Sequence, residues 1–428
     1  MILFRYFLIA YSAILFVAYV VLGVTLNMAP VSYLYILMAN IYMVICSRHN
    51  FMPFIVAFIL LFCNYSIIYA NYIGMIQNVF TTNLSAESYI ISLNVLTLFN
   101  VFLFLFVRWE RVSILNKVEF VDANRGDNFI LYLLYSLLIP IFFLGFTLPE
   151  AEGQRGAHST AYEYSAIPFM LLFYYSGNQK WHIRFGLMLV AIYSLQSFVF
   201  GGRIEAIQFI LVAYMMLFIH RISMPKVIIA MVGMFFLMSI IGVVRGELLS
   251  GNADVSSILS SLAESGFALD TAYSAYYTSE SFVYIIDKFT LFEIIALFCE
   301  FVKSIFLGAN PDVLLTSISA QYTIHYGGGI LPFYFFFYLG AIGVFVASVL
   351  AAFYLNKVIG LQADSSGYMK CLTVWIVSTT FRWYLYTPLP LLRGVLFLTI
   401  AYFSFAYLHH LSGRIFVRKE TEFLQYKE

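Results

Sequence analysis

The chain has 428 residues, 62% of them hydrophobic and only 11% charged, whereas charged residues make up roughly a quarter of a soluble domain. That composition excludes an ordinary soluble enzyme and makes lipid the expected solvent. A formal charge of +1 gives no global attraction to nucleic acid or anionic surfaces, so no nucleic-acid partner is expected and only local charge carries information.

A helix needs about 20 apolar residues to cross the hydrocarbon core, and runs of that kind can be marked off by their polar interruptions. Twelve are predicted, near residues 3–24, 30–46, 52–73, 88–108, 128–148, 162–177, 183–200, 204–222, 226–244, 330–355, 369–387 and 391–411. The first opens with Arg5 and meets no small-residue cleavage site before Pro30, so it reads as a retained span. The second, sixth and eleventh are short or broken, and Pro168 weakens the sixth. Cys46, Cys63, Cys299 and Cys371 fall in or beside separate apolar segments without metal-ligand spacing, so neither a disulfide framework nor a zinc site is indicated. The predicted fold is an all-α polytopic membrane protein, a single domain over 1–428, without solenoid repeats.

Short cytoplasmic loops carry an excess of Lys and Arg, which orients the spans. One set of loops holds Arg48, then Arg108, Arg111, Lys117 and Arg125, then Lys180 and Arg184, Arg221 and Lys226, and Lys357 and Lys370. The basic tail of Arg414, Arg418, Lys419 and Lys427 belongs with them, while stretches 25–29 and 74–87 on the other side hold no basic residue. Both termini are therefore expected in the cytoplasm. Phe282 to Leu307 is long and apolar but carries Lys288, Glu293, Glu300 and Lys303 on one broad helical face. It is predicted to lie in the outer interface as an amphipathic helix, within one large extracytoplasmic loop over 245–329. The loop acids Glu247, Asp254, Glu264, Asp270, Glu280 and Asp312 are expected to be mostly solvated.

Five arginines fall on the outer side, where the positive-inside preference disfavours them: Arg155, Arg203, Arg245, Arg382 and Arg393. One reading is that each snorkels to headgroup phosphates or pairs with an acid such as Glu150, Glu152, Glu205 or Glu247. The other is an outward-facing anion site, because several planar, permanently charged guanidinium groups suit a pyrophosphate. Gly201-Gly202-Arg203-Ile204-Glu205 forms an outer turn into a helix start, a local setting that favours an anion. Glu205 is either the local partner of Arg203 or a candidate base.

The segment Tyr322 to Gly329 joins His325, the aromatic faces of Tyr322 and Tyr326, and three glycines. Tyrosines stack on sugar rings and bond hydroxyls, and a histidine is suited to act as base or donor. An interfacial aromatic belt with a polar loop is the alternative. Walker, Rossmann, HExxH, GxSxG and paired-acid metal signatures are absent, so no nucleotide, cofactor or metal is expected.

With these features in place, the chain resembles the polytopic Wzy-type polymerases of O-antigen and capsular polysaccharide. The resemblance rests on about twelve helices, the late outer loop, the Gly-Gly-Arg203-Ile-Glu205 turn, the stretch from Gly308 through Asp312 to His325 and Gly329, and Phe381-Arg382-Trp383-Tyr384 followed by Leu392-Arg393-Gly394. The chain departs from the arginine–glycine spacing described for some members, since Ala166, Tyr214 and Ser256 stand eleven residues past Arg155, Arg203 and Arg245. The resemblance implies a GT-C-like, metal-independent glycosyltransferase of the bacterial inner membrane, acting on undecaprenyl-pyrophosphate-linked oligosaccharide. It also implies a chain-length regulator and a flippase as partners. Arg203, Arg245, Arg382, Arg393 and Arg155 would hold pyrophosphate, Tyr322 and Tyr326 the glycan, and His325 or Glu205 would be the base. An O-antigen ligase and a polysaccharide transporter are the rival readings.

Overall fold

The computed structural model describes residues 2–23, 27–73, 84–112, 118–121, 126–147, 157–177, 179–199, 202–219, 224–233, 236, 240, 256, 259–260, 270–308, 311–325 and 327–425. Its helices in chain order are α1 (Ile2–Leu22), α2 (Ala29–Ser47), α3 (Phe51–Ile73), α4 (Ala86–Phe106), α5 (Asn128–Leu144), α6 (Thr160–Glu163), α7 (Ala166–Tyr175), α8 (Lys180–Val199) and α9 (Arg203–Leu217). They continue with α10 (Met224–Gly233), α11 (Asp270–Ile285), α12 (Leu291–Leu307), α13 (Leu315–Ser319), α14 (Leu331–Ile359), α15 (Gly367–Ser378), α16 (Thr380–Leu385) and α17 (Leu389–Gln425). Among the described residues the only strands are a two-residue antiparallel pair, Phe146–Thr147 with Ala157–His158.

Among the described residues six helices are long and apolar enough to cross a membrane: Ile2–Val21, Ala29–Ser47, Phe51–Asn71, Ala86–Phe106, Leu331–Ile359 and Leu389–Ser412. They coincide with six of the predicted spans. Leu3, Val21, Ile342, Ile400 and Phe403 stand exposed on them, an apolar surface that suits lipid and not water. Three further predicted spans fall on shorter apolar helices, Asn128–Leu144, Ala166–Tyr175 and Met224–Gly233. Pro168 lies in the first turn of α7, where its missing N–H costs nothing. Predicted spans 183–200 and 204–222 fall on α8, which opens with Lys180 and Arg184, and on the 15-residue α9.

Two predicted segments are divided. The span at 369–387 breaks into α15 and α16, because the hydroxyls of Ser378 and Thr379 both bond back to the Trp375 carbonyl and compete with the helical ladder. Phe282 to Leu307 is also two pieces. Phe282 to Ile285 closes the buried helix α11, and α12 starts afresh at a capping box in which Thr290 and Glu293 bond each other's backbone. The amphipathic part is therefore α12 alone, with Leu291, Phe292, Phe306 and Leu307 exposed and Phe298 and Phe301 packed on Tyr338 of α14.

The chain forms two compact units, Met1–Leu115 with Ser223–Gly360 and Thr380–Leu392, and Asn116–Ile222 with Leu361–Thr379 and Arg393–Glu428. In the first, α4 packs on α14, and α2 packs on α3 and α4. A buried polar knot ties these helices: Asn40 and Asn64 donate to the Asn100 carbonyl at 3.0 and 3.4 Å, and the Tyr384 hydroxyl of α16 donates to Asn64 at 2.6 Å. In hydrocarbon such groups have no water to fall back on, so each bond fixes a helix register. An Asn100→Leu variant, which leaves two amides short of a partner, is expected to lose about 1–3 kcal/mol, read as earlier thermal unfolding in detergent.

The second unit centres on α9, which packs on α7, α8 and α15 around the stacked rings of Tyr162 and Tyr193 with Phe169 and Phe209. Asp127 caps α5 through Phe129 and Ile130 N–H and accepts from His409 Nδ1 at 2.7 Å and Ser412 Oγ at 2.8 Å, pinning α17 to the start of α5. Burial alone would raise this carboxyl, but the bonds from His409, Ser412 and Ile130 outweigh it and leave it below the usual range. A depressed carboxylate stabilises the fold above its unfolded value near 4, and that stabilisation is lost as pH falls through that range. Thermal unfolding between pH 6 and about 3 is expected to show this acid-side loss in the parent chain and a flatter profile in Asp127→Asn.

Candidate functional site

Sequence reasoning named nine residues, and the structure distributes them. Arg155, Arg245 and Tyr326 lie outside the described residues. The first unit holds Tyr322, His325 and Arg382, and the second holds Arg203, Glu205 and Arg393.

In the first unit the site is built around α11, which packs on α3, α4, α13, α14 and α16. Its neighbour is the segment from Gly327 to Ile330, which is held by several hydrogen bonds. Thr278 and Ser279 of α11 bond Gly327 O at 3.1 Å and Ile330 N at 2.8 Å. Gly329 N donates to Leu385 O at the end of α16 at 3.0 Å, and the Tyr334 hydroxyl reaches Tyr386 O at 2.5 Å. His325 completes the hold. Gly327 N–H donates to its Nδ1 at 3.0 Å, which assigns the ring proton to Nε2, 2.7 Å from Ser319 Oγ. Burial lowers the His325 pKa, against an opposing bond to the Thr316 carbonyl, so the ring is neutral at pH 7.

Tyr322 is exposed, with its ring 4.8 Å from the Lys288 ammonium, which also lies over Tyr284 at 4.5 Å. This is a cation–π sandwich that fixes the aromatic face at the loop's edge. Arg382, on α16, is only 8% exposed. Its backbone carbonyl accepts from Tyr386 and Thr387 N–H, closing α16 just before the segment that meets the glycine loop.

The residue that sequence reasoning missed is Glu280. Expected in solvent, it is 7% exposed on α11, facing Tyr33 of α2, Tyr89 of α4 and Tyr273 and Tyr276 of its own helix. Tyr33 and Tyr89 share a hydrogen bond, and the Asn71 amide near the end of α3 lies beside Tyr33. Burial pushes the Glu280 carboxyl up to about 8, although the Tyr276 hydroxyl beside it acts the other way without completing a bond of standard geometry. The signal was in the spacing: Tyr273, Tyr276, Tyr277, Glu280 and Tyr284 recur at helical intervals and mark one face.

In the second unit Arg203 opens α9, and the Glu205 carboxylate folds back over Gly202, 3.0 Å from where a side chain there would begin. Glu205 is buried and lies near the Tyr162 hydroxyl. Arg393 is 5% exposed, and the adjoining Gly394 lies so close to Trp375 of α15 that a side chain would collide with the indole. Comparison with protein-family models, curated proteins and solved structures gives no match. The described residues offer buried arginines, a neutral buried carboxyl, and a histidine engaged at both nitrogens.

Proposed function

We propose that this chain is a Wzy-type polysaccharide polymerase. It would be a metal-independent glycosyltransferase that moves a growing glycan from undecaprenyl pyrophosphate to the next lipid-linked repeat unit. Twelve spans, a GT-C-like arrangement and cytoplasmic termini in a bacterial inner membrane belong to this reading. The observation that carries it is the burial of Arg382. Arginines that only snorkel to headgroups leave the guanidinium exposed. Holding one inside costs several kcal/mol and is normally retained for function. A pyrophosphate leaving group develops negative charge, and fixed arginines stabilise it without a metal ion.

Deleting the gene in its host and restoring it from a plasmid tests this. The reading expects single lipid-linked or singly substituted repeats in the deletion strain and a polymer ladder on restoration. An unchanged ladder in the deletion strain would sink it. Loss of all capped lipopolysaccharide with polymer retained on the carrier would point to a ligase instead. Glu280, a protonatable group buried among packed helices, favours a second reading, a polysaccharide transporter. That reading expects repeats trapped on the cytoplasmic face.

A further inference from the structure

Joining a sugar hydroxyl to an anomeric carbon releases one proton, which a nearby group must accept. His325 is poorly placed for that: its basic Nδ1 receives Gly327 N–H and its Nε2 carries the proton. Glu205 belongs to the second unit and is folded against the start of its own helix. Glu280 is differently situated. It sits where the first turns of α2 and α4 meet the last turn of α3, the end that the loop charges assign to the exterior. Among the described residues no ion pair neutralises it. Its helix neighbours Thr278 and Ser279 hold the loop of His325, and α16 with Arg382 packs on the same helix.

We propose, on the polymerase reading, that Glu280 is the proton acceptor for the attacking sugar hydroxyl. The hydroxyl gives its proton to the Glu280 carboxylate while its oxygen bonds the anomeric carbon. The bond from that carbon to the pyrophosphate oxygen breaks, and the electron pair leaves with the pyrophosphate. A carboxylate becomes a carboxylic acid and the pyrophosphate gains one negative charge, so proton and charge balance.

The surroundings suit this role. A carboxyl that titrates near the working pH balances availability as a base against proton affinity. Around it face Tyr33 and Tyr89 from α2 and α4 and Tyr273 and Tyr276 from α11. The elements packed on α11 bring Tyr334 of α14, Arg382 of α16 and His325 of the adjoining loop. The phenols remain protonated at neutral pH and act as a polar cage.

The test is polymerisation in proteoliposomes using lipid-linked repeat units extracted from a strain that lacks this gene, with parent, Glu280→Gln, Glu280→Asp and Arg382→Met proteins. Glu280→Gln replaces a neutral acid by a neutral amide of the same shape, so unchanged thermal unfolding is expected, with kcat at least about a hundredfold lower and KM little altered. The parent rate is expected to rise with pH and level off above about 8, and Glu280→Asp to move that midpoint. A Glu280→Gln protein with parent-like kcat overturns the proposal, and with Arg382→Met inactive the polymerase reading stands without it. If Glu280→Gln fails to fold, an unmoved midpoint in Glu280→Asp overturns it equally. A parent protein that makes no polymer removes both together.

Discussion

An Arg382→Met variant is expected to make no polymer at a matched level of folded protein. The side chain is almost fully enclosed on α16, so its charge has been taken out of water at a cost that packing alone does not return. Replacing a whole buried charge pair by apolar residues is often neutral for the fold, but Arg382 is engaged within it, and removing one partner of a buried pair costs about 3–5 kcal/mol, so earlier unfolding is expected. Removing a guanidinium from a pyrophosphate would instead cost about 10²–10³ in rate, the loss seen when one donor is taken from a developing anion. Arg382→Lys keeps the charge but not the planar fork, and is expected to fall between the two. The measurement is the polymer ladder at matched protein level, beside thermal unfolding. A folded Met variant that polymerises normally would remove Arg382 from the site.

Gly328→Ala is expected to have the largest effect on stability, about 2–4 kcal/mol, combining left-handed backbone strain with a clash inside a packed site. Gly328 has φ +91°, and an added Cβ would lie 2.9 Å from Leu385 O. That carbonyl is already the acceptor for Gly329 N, so the methyl would force α16 away from the loop and break the bond between them. Gly327 provides the control. Its φ is +81°, but a Cβ there meets nothing within 4 Å, so Gly327→Ala carries the backbone strain without the clash. It is expected to lower the unfolding temperature roughly half as far. Equal losses at the two positions would show that strain alone, and not the hold on α16, governs the loop.

How far the molecule was legible in its sequence depends on what each residue's signal measured. Apolar run length marked the six long apolar helices among the described residues, because the run needed to cross a bilayer sets their length. The amphipathic character of α12 was legible from the spacing of Glu293, Glu300 and Lys303, but its start at Leu291 was set by the Thr290–Glu293 capping box, which went unread. Asn40, Asn64 and Asn100 each stand in an apolar run, yet only the packed helices show that they meet. Glu280 was misplaced because spacing marks a face and does not say what covers it; α2, α3 and α4 supply the cover from far away in sequence. The arginines were found by charge placement, while their assignment to two units was hidden by the chain passing between the units several times.

Polymerisation by the purified chain decides whether it is a polymerase. The most direct measurement is mass analysis of products after the protein, in proteoliposomes containing EDTA, is given repeat units extracted from the deletion strain. The prediction is a ladder of undecaprenyl-pyrophosphate-linked products, each longer than the last by one repeat, formed without added metal or nucleotide. Repeat units recovered unchanged from a folded protein, or carried across the bilayer without being joined, would contradict it.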